Sequence, residues 1–323
     1  MEAKKLRIVF MGTPELATYS LKKLTDEGYN VRGVVTAPDK PAGRGRKIRI
    51  PDVKKFALEN NLPVLQPENL KSPEFLDALK ALKPDIQVVV AFRMLPEAVW
   101  NLPPMGTFNM HASLLPDYRG AAPINWAIIN GEKQTGVTTF LLDHQIDTGK
   151  ILFREKVDIE EGETAGSLHE KIKVAGAGIV LKTIDALAEG TAKPIEQDEL
   201  IKDPSRLKKA PKIFKEDCRI NWNLPCREVA NFIHGLSPLP GAYTHIISGK
   251  NEKLQLKVFE AEPKKIDHGI SPGEVLSDNR KKIQFSTPDG VIEIKSLQIS
   301  GKKRMNAEEF LRGFDFQKVK KPL

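Results

Sequence analysis

Short apolar segments that alternate with helical patterns fill the first half of the chain and restrict its fold. The apolar segments predict buried strands over residues 6–12, 31–36, 85–92, 106–111 and 136–142. Pro14 stands where a first helical turn accepts proline, and the helix that follows is predicted to end near Gly28. This alternation predicts an α/β fold with a doubly wound, mostly parallel sheet. In such sheets ligands bind beyond the carboxyl ends of the strands, so chemistry is expected there.

The chain of 323 residues is long enough for two domains. We predict a first domain over residues 1–192, closed by a long helix over 164–188, and a polar linker over 193–209. The second domain then covers residues 210–323. Its short strand-like segments, separated by turn sequences such as Pro288-Asp-Gly, predict a small β-barrel.

The excess of positive charge lies in the last third of the chain. Residues 207–323 contain 22 Lys and Arg against 14 Asp and Glu, whereas residues 1–206 contain 28 of each kind. A basic domain attached to a neutral body suits a phosphate-rich macromolecular partner. A solvated surface with a basic tail explains the same charge equally well, so composition alone does not decide between them.

Several classes of protein are excluded by what the sequence lacks. It has no run of about eighteen apolar residues and no signal peptide at its amino terminus, so we expect a cytoplasmic protein without membrane attachment. Cys218 and Cys226 are too few for a disulfide scaffold, and no metal site is expected from the cysteine or histidine spacing. Gly12-Thr-Pro supplies only one glycine of the dinucleotide-binding motif, which excludes an NAD site.

Three polar residues near the predicted fourth strand offer an amide, an imidazole and a carboxylate. They are Asn109 and His111, in the run Asn-Met-His-Ala-Ser-Leu-Leu-Pro-Asp-Tyr-Arg-Gly, and Asp147, in Ile-Asp-Thr-Gly. This trio suits the transfer of a one-carbon acyl group to an amine, because that reaction passes through a tetrahedral carbon that bears an oxyanion. Taken singly, each residue also has a structural explanation, such as capping a turn.

The run that begins at Asn109, together with the block around Asp147, resembles the folate-dependent formyltransferases. The resemblance extends to residues 38–46, to the helix over 164–188 and to residues 221–222 and 234–238, so it covers essentially the whole chain. It implies that Asn109, His111 and Asp147 are catalytic, that 10-formyltetrahydrofolate donates the formyl group and that no metal takes part. It also implies that the second domain is an open barrel of the oligonucleotide-binding (OB) type.

The resemblance further implies a folate pocket. Two segments near predicted strand ends would line it, through the residues Met94, Leu95, Ser113, Leu114, Leu115 and Pro116. Folate has a flat heterocycle with amide-like edges, for which main-chain groups in an apolar slot are a suitable receptor. A purely structural role for the leucines is the alternative.

Residues 36–51 depart from the short connections typical of α/β domains. This segment is rich in glycine and proline and contains five basic residues, and long loops without internal structure are usually functional or disordered. The resemblance implies that it contacts tRNA. We therefore predict tRNA-binding residues at Arg44, Arg46 and Lys47, with Lys212 as a further candidate in the basic domain.

The implied activity is transfer of the formyl group from 10-formyltetrahydrofolate to the α-amino group of methionine on initiator methionyl-tRNA, by a monomer. One alternative is the same chemistry on a small amine, either glycinamide ribonucleotide or an amino sugar nucleotide. Another is an inactive RNA-binding relative, against which the intact Asn109, His111 and Asp147 argue. His144 and Gln145 precede Asp147 where many relatives have small or acidic residues, so the conformation of this loop is open.

Overall fold

The structure is a computed structural model, and it describes residues 2–42, 47–248, 251–316 and 319. The chain folds into two compact units. The first consists of Met1–Gly120, Thr135–Val157 and His169–Lys209, and the second of Ala121–Gln134, Asp158–Leu168 and Ala210–Leu323. Residues 193–209 thus belong to the first unit.

Seventeen strands and eight α-helices lie within the described residues. The strands are β1 (Ile8–Gly12), β2 (Val31–Val35), β3 (Lys40–Ala42), β4 (Lys47–Arg49), β5 (Val64–Leu65), β6 (Ile86–Val90), β7 (Thr107–His111), β8 (Arg119–Gly120), β9 (Gln134–Leu141), β10 (Ile151–Asp158), β11 (Lys209–Ala210), β12 (Ala242–Ile247), β13 (Lys253–Lys265), β14 (Val275–Ser277), β15 (Ile283–Thr287), β16 (Gly290–Ile299) and β17 (Met305–Asn306). The helices are α1 (Glu15–Asp26), α2 (Asp52–Glu59), α3 (Pro73–Ala81), α4 (Glu97–Trp100), α5 (Pro123–Ile129), α6 (Ala165–Glu189), α7 (Cys226–Gly235) and α8 (Ala307–Leu311).

The first unit is built on a seven-stranded sheet with the order β10-β9-β7-β6-β1-β2-β5. Strand β1 pairs parallel to β2 and β6, and β6 pairs parallel to β7, whereas β9 runs antiparallel to β7. All residues of β1 and β6 are buried, as expected for parallel strands with both faces covered. The predicted doubly wound, mostly parallel fold is confirmed.

Gly12 shows why this sheet needs a glycine at the end of β1. A Cβ atom there would lie 2.4 Å from the Ala17 Cβ and 2.9 Å from the Val90 carbonyl oxygen. Any side chain at this position would therefore push α1 away from the ends of β1 and β6. The role of Gly12 is close packing of the helix on the sheet.

The second unit contains a six-stranded antiparallel sheet in which β12-β13-β16-β15-β14 are neighbours and β17 adds to β16. Register shifts in β13 between Val258 and Ala261 bend this long strand against β16. The sheet and α7 enclose an apolar core in which the Trp222 and Phe285 rings stack at 4.4 Å between centroids. This architecture confirms the expected open barrel.

The segment over residues 36–51 has internal structure that its composition did not reveal. Strands β3 and β4 form an antiparallel pair, with Lys40 opposite Arg49. Arg44 and Arg46 lie outside the described residues, and for Lys47 only the backbone is described. None of the described helices is long and apolar enough to cross a membrane.

Candidate active site

Strand β7 carries two of the predicted catalytic residues on one face. Asn109 and His111 are two positions apart, so their side chains project to the same side of the sheet. Pairing with β9 places Phe140 opposite Asn109 and Thr138 opposite His111. The Asn109 side chain is half-buried, and its carboxamide makes no hydrogen bond to any residue in the described part of the chain. That carboxamide is therefore available to a ligand.

One nitrogen of the His111 imidazole lies within hydrogen-bonding distance of a partner, and the other does not. Its Nε2 lies 2.8 Å from the Tyr118 carbonyl oxygen, while its Nδ1 lies 3.9 Å from Asp147 Oδ2. Because a carbonyl oxygen only accepts hydrogen bonds, Nε2 carries a proton and donates it to Tyr118. The contact with Asp147 is longer than a hydrogen bond but within the range of an ion pair. In the neutral ring, Nδ1 thus bears a lone pair and lies beside the Asp147 carboxylate.

Asp147 lies in the loop after β9, and its backbone adopts a left-handed conformation with φ of 57°. Tyr118, which holds His111 Nε2, also has a positive φ, of 62°. The Gly120 N–H donates to Asp147 Oδ2 at 3.0 Å, so the segment Tyr118–Gly120 supplies one partner to each of the side chains of His111 and Asp147. Aspartate tolerates this conformation better than most residues, whereas tyrosine does not. Surrounding contacts therefore fix both positions.

Gln197 provides part of that fixation and was not identified from the sequence. Its Nε2 donates to the Asp147 and Gly149 carbonyl oxygens, both at 2.9 Å. Its Oε1 accepts from Arg119 Nε at 3.0 Å and from Arg119 Nη2 at 2.7 Å. The residue is only 2% exposed. A single glutamine in a polar segment gives no local pattern by which it could have been found.

The loop that carries Asp147 passes directly against β9. A Cβ atom at Gly149 would lie 1.7 Å from the Leu141 carbonyl oxygen, so only glycine fits there. Asp143 Oδ1 accepts hydrogen bonds from the Gln145 N–H and the Thr148 hydroxyl, both at 2.9 Å. His144, one of the departures from the family pattern, packs edge-on against Trp100 with 5.3 Å between ring centroids. These contacts give the loop a defined conformation.

The predicted folate segment after β7 divides into residues with internal partners and residues with accessible surface. The Ser113 hydroxyl donates to the Asp117 carbonyl at 2.7 Å, and Thr138 Oγ1 donates to the Ser113 carbonyl at 2.6 Å. Leu115 is fully buried against Phe140. Leu114 and Pro116 are half-buried. Ser113 and Leu115 thus anchor this segment, and Leu114 and Pro116 retain surface for a ligand.

The other predicted folate residues follow the carboxyl end of β6. Met94 is 76% exposed, and Leu95 is buried. Both line a groove of about 1020 Å³ whose other wall includes Leu70 and Leu76. Arg93 Nη1 donates to the Glu68 carbonyl oxygen at 2.9 Å, which ties this segment to the connection between β5 and α3. Met94 is therefore the accessible apolar side chain of the pair.

Lys212 lies in the second unit and is exposed. Its Nζ lies 5.1 Å from the centroid of the Phe214 ring, whose side chain is 55% exposed. A cation beside an accessible aromatic ring suits contact with nucleic acid. Within the described ranges, no cluster of three or more His, Cys, Asp or Glu residues is placed to hold a metal ion.

Comparison with known proteins identifies the family. A formyl transferase family model matches residues 6–184, and a model of the formyl transferase C-terminal domain matches residues 212–315. A methionyl-tRNA formyltransferase of Bacteroides thetaiotaomicron is 52% identical over 314 residues, with 97% of each chain covered. A methionyl-tRNA formyltransferase of Flavobacterium johnsoniae is 48% identical, with 97% of this chain and 98% of the relative covered.

Solved structures share the fold at lower identity. HypX from Aquifex aeolicus in complex with tetrahydrofolic acid has a TM-score of 0.62 and 21% identity, over 96% of this chain and 48% of that one. The sugar 3N-formyl transferase WlaRD has a TM-score of 0.61 and 20% identity, over 92% of this chain and 99% of that one. From its matches to both family models and from its identity with these relatives, the chain belongs to the formyl transferase family.

Proposed function

We propose that this formyltransferase transfers the formyl group of 10-formyltetrahydrofolate to the methionine amine of initiator methionyl-tRNA. The observation that carries the proposal is the 3.9 Å approach of His111 Nδ1 to Asp147 Oδ2, on the strand face that also presents Asn109. The choice of substrate is supported by the 52% identity with a methionyl-tRNA formyltransferase along the whole chain. The positive charge of residues 207–323 supports it further.

Asn109 is the proposed donor to the oxyanion. The α-amine of an aminoacyl ester is partly neutral near pH 7, because the reference pKa of an α-amino group is about 7.7 to 8. As it attacks the formyl carbon, a C–N bond forms and the carbonyl oxygen gains negative charge. The unengaged carboxamide of Asn109 donates to that oxygen. Loss of one such donor typically costs about 2.7 to 4 kcal/mol.

His111 is the proposed carrier of the proton. Its Nδ1, which makes no hydrogen bond to Asp147, accepts a proton from the attacking nitrogen. The resulting imidazolium donates from Nε2 to the Tyr118 carbonyl and lies beside the Asp147 carboxylate. Nδ1 then returns the proton to N10 of the folate as the bond between N10 and the formyl carbon breaks. The products are formylmethionyl-tRNA and tetrahydrofolate. Because Nε2 is hydrogen-bonded to the Tyr118 carbonyl, Nδ1 is the nitrogen that acts first as a base and then as an acid.

The binding surfaces are part of the same proposal. Met94, Leu95 and Ser113 to Pro116 line the folate pocket, in which Ser113 and Leu115 act by fixing the main chain. Arg44, Arg46, Lys47 and Lys212 contact the tRNA. Because aminoacylated initiator tRNA is used in the cytoplasm, we place the enzyme there, and we expect it to act as a monomer.

The choice of acceptor can be tested with purified protein and 10-formyltetrahydrofolate. The acceptors are charged initiator tRNA, charged elongator tRNA and glycinamide ribonucleotide, each offered at the same concentration. We expect formylation of the initiator alone. Formylation of glycinamide ribonucleotide alone would refute the tRNA substrate while leaving formyl transfer intact, and binding of tRNA without any formylation would indicate an inactive relative.

A further inference from the structure

We propose that Gln197 is a positioning residue for formyl transfer, which holds the Asp147 carboxylate at its working distance from His111. This inference rests on the proposed function, since it assigns Gln197 to the same reaction. Gln197 lies about fifty residues from Asp147 in the chain, in a 3₁₀ turn (Gln197–Leu200) that follows α6. It lies outside the sequence motifs around Asn109 and Asp147.

The carboxamide of Gln197 is fully used. A glutamine offers two N–H donors and one oxygen with two lone pairs. Here the two donors go to the carbonyl oxygens of Asp147 and Gly149, and the oxygen accepts from two nitrogens of Arg119. The partners fix the orientation of the amide, because carbonyl oxygens only accept and a guanidinium only donates. No other uncharged side chain of this length matches that set of partners.

These four bonds join the two chain segments that build the catalytic pair. Arg119 follows Tyr118, whose carbonyl holds His111 Nε2, and precedes Gly120, whose N–H holds Asp147 Oδ2. The other two bonds hold the main chain of Asp147 and Gly149 directly. Gln197 therefore acts on both sides of the 3.9 Å gap between the imidazole and the carboxylate.

The backbone conformation of Tyr118 and Asp147 gives an independent reason why these hydrogen bonds are needed. Tyr118 and Asp147 are both non-glycine residues with φ near 60°. A non-glycine residue persists in this conformation only where its surroundings over-determine it. The hydrogen bond to the Asp147 carbonyl oxygen restricts rotation of the peptide plane that follows Asp147, and the bonds to the Arg119 guanidinium tether the residue next to Tyr118. A displacement of about 1 Å in a reacting group can cost on the order of 100-fold in rate.

Two substitutions disrupt the hydrogen bonds of the Gln197 carboxamide in different ways. Gln197→Met keeps the length of the side chain and removes all four hydrogen bonds. Gln197→Glu keeps the acceptor for Arg119 and places a carboxylate oxygen against the Asp147 and Gly149 carbonyls. Both are expected to lower kcat by about 10- to 100-fold, with the KM for folate and for tRNA within about twofold of wild type. Gln134→Met, at an exposed glutamine that bonds Asp158, is the matched control and should leave kcat unchanged.

A double-mutant cycle separates positioning from general stability. In an Asp147→Asn background, where the carboxylate is already absent, Gln197→Met should lower kcat by less than about threefold further. An equal loss in both backgrounds, or wild-type kcat in Gln197→Glu and Gln197→Met, would overturn the inference. Thermal unfolding of every variant identifies any loss of kcat that comes from misfolding. If Gln197→Met is misfolded, Gln197→Glu decides the test, because its ion pair with Arg119 replaces the lost hydrogen bonds. The proposed function is tested separately, because it fails only if the wild-type protein does not formylate initiator tRNA.

Discussion

The predicted functional side chains of the two units differ in exposure. In the first unit, His111, Asp147 and Gln197 are largely buried, and each has partners at defined distances. In the second unit, Lys264 and Lys295 are held in ion pairs with Glu293, whereas Lys212 is exposed beside an aromatic ring. A reaction centre depends on the placement of a few atoms, whereas a surface for a polyanion depends on the sum of many charges. Under the proposed function, single substitutions of reaction-centre residues should therefore have large effects, and single substitutions of tRNA-binding cations, Arg44 of the first unit included, should have small ones.

Substitution of His111 tests the first half of this comparison with the largest expected effect. His111→Ala removes the only proposed proton carrier, so formylation should fall by at least about a thousandfold. Affinity for tRNA, measured by filter binding, should stay within about twofold of wild type, because the side chain is only 8% exposed. A variant with near-normal turnover would show that another group moves the proton.

Substitution of Asn109 should have a smaller effect on the same step. Asn109→Ala removes the proposed oxyanion donor, and we expect kcat to fall by about 100- to 1000-fold at nearly constant KM. Steady-state kinetics with both substrates varied will separate kcat from KM. A rise in KM for folate at unchanged kcat would instead place Asn109 in ground-state binding.

Substitution of single cations addresses the second half of the comparison. Lys212→Ala should weaken tRNA binding severalfold and reduce the slope of log affinity against log salt by about one. Lys22→Ala is the control, because Lys22 lies on α1 of the first unit, where it pairs with Asp26. Arg44→Ala should chiefly lower productive use of tRNA. An unchanged salt slope in Lys212→Ala would remove that residue from the interface.

The ion pairs of the second unit predict a small effect on stability alone. Burial of Glu293 by itself would raise the pKa of its carboxyl group, but hydrogen bonds from Lys264 and Lys295 lower that pKa to about 2. The carboxylate therefore stabilises the fold above pH 4.5, and this contribution is lost as the pH falls toward 2. Glu293→Gln should unfold at a lower temperature at pH 7, and the difference from wild type should shrink between pH 4.5 and pH 2. A constant difference would contradict the pairing.

The sequence was informative where burial or local chemistry leaves a pattern. Strands β1 and β6 were predicted within about two residues, because central parallel strands read as nearly continuous apolar runs. Strand β10 was not identified, because it is the edge of the sheet and carries charged residues at positions 154–156. The β3–β4 pair was hidden by the glycines and prolines of residues 36–51.

The same limit applies to the site. Asn109, His111 and Asp147 stand in recognisable motifs, so the sequence could nominate them. Gln197 could not be nominated, because its partners include two main-chain carbonyls that any residue would provide. The tautomer of His111 was equally hidden, since it depends on the carbonyl of Tyr118, which a left-handed backbone turns toward the ring. Such positions emerge only when the fold brings distant segments together.

The most direct test of the central claim is a single-turnover measurement of formyl transfer to initiator methionyl-tRNA, with enzyme in excess and 10-formyltetrahydrofolate saturating. Wild-type protein should produce formylmethionyl-tRNA in a rapid exponential phase, and that phase should be absent in His111→Ala and slowed in Gln197→Met. Equal rates in the wild type and in His111→Ala would contradict a reaction centred on the His111–Asp147 pair.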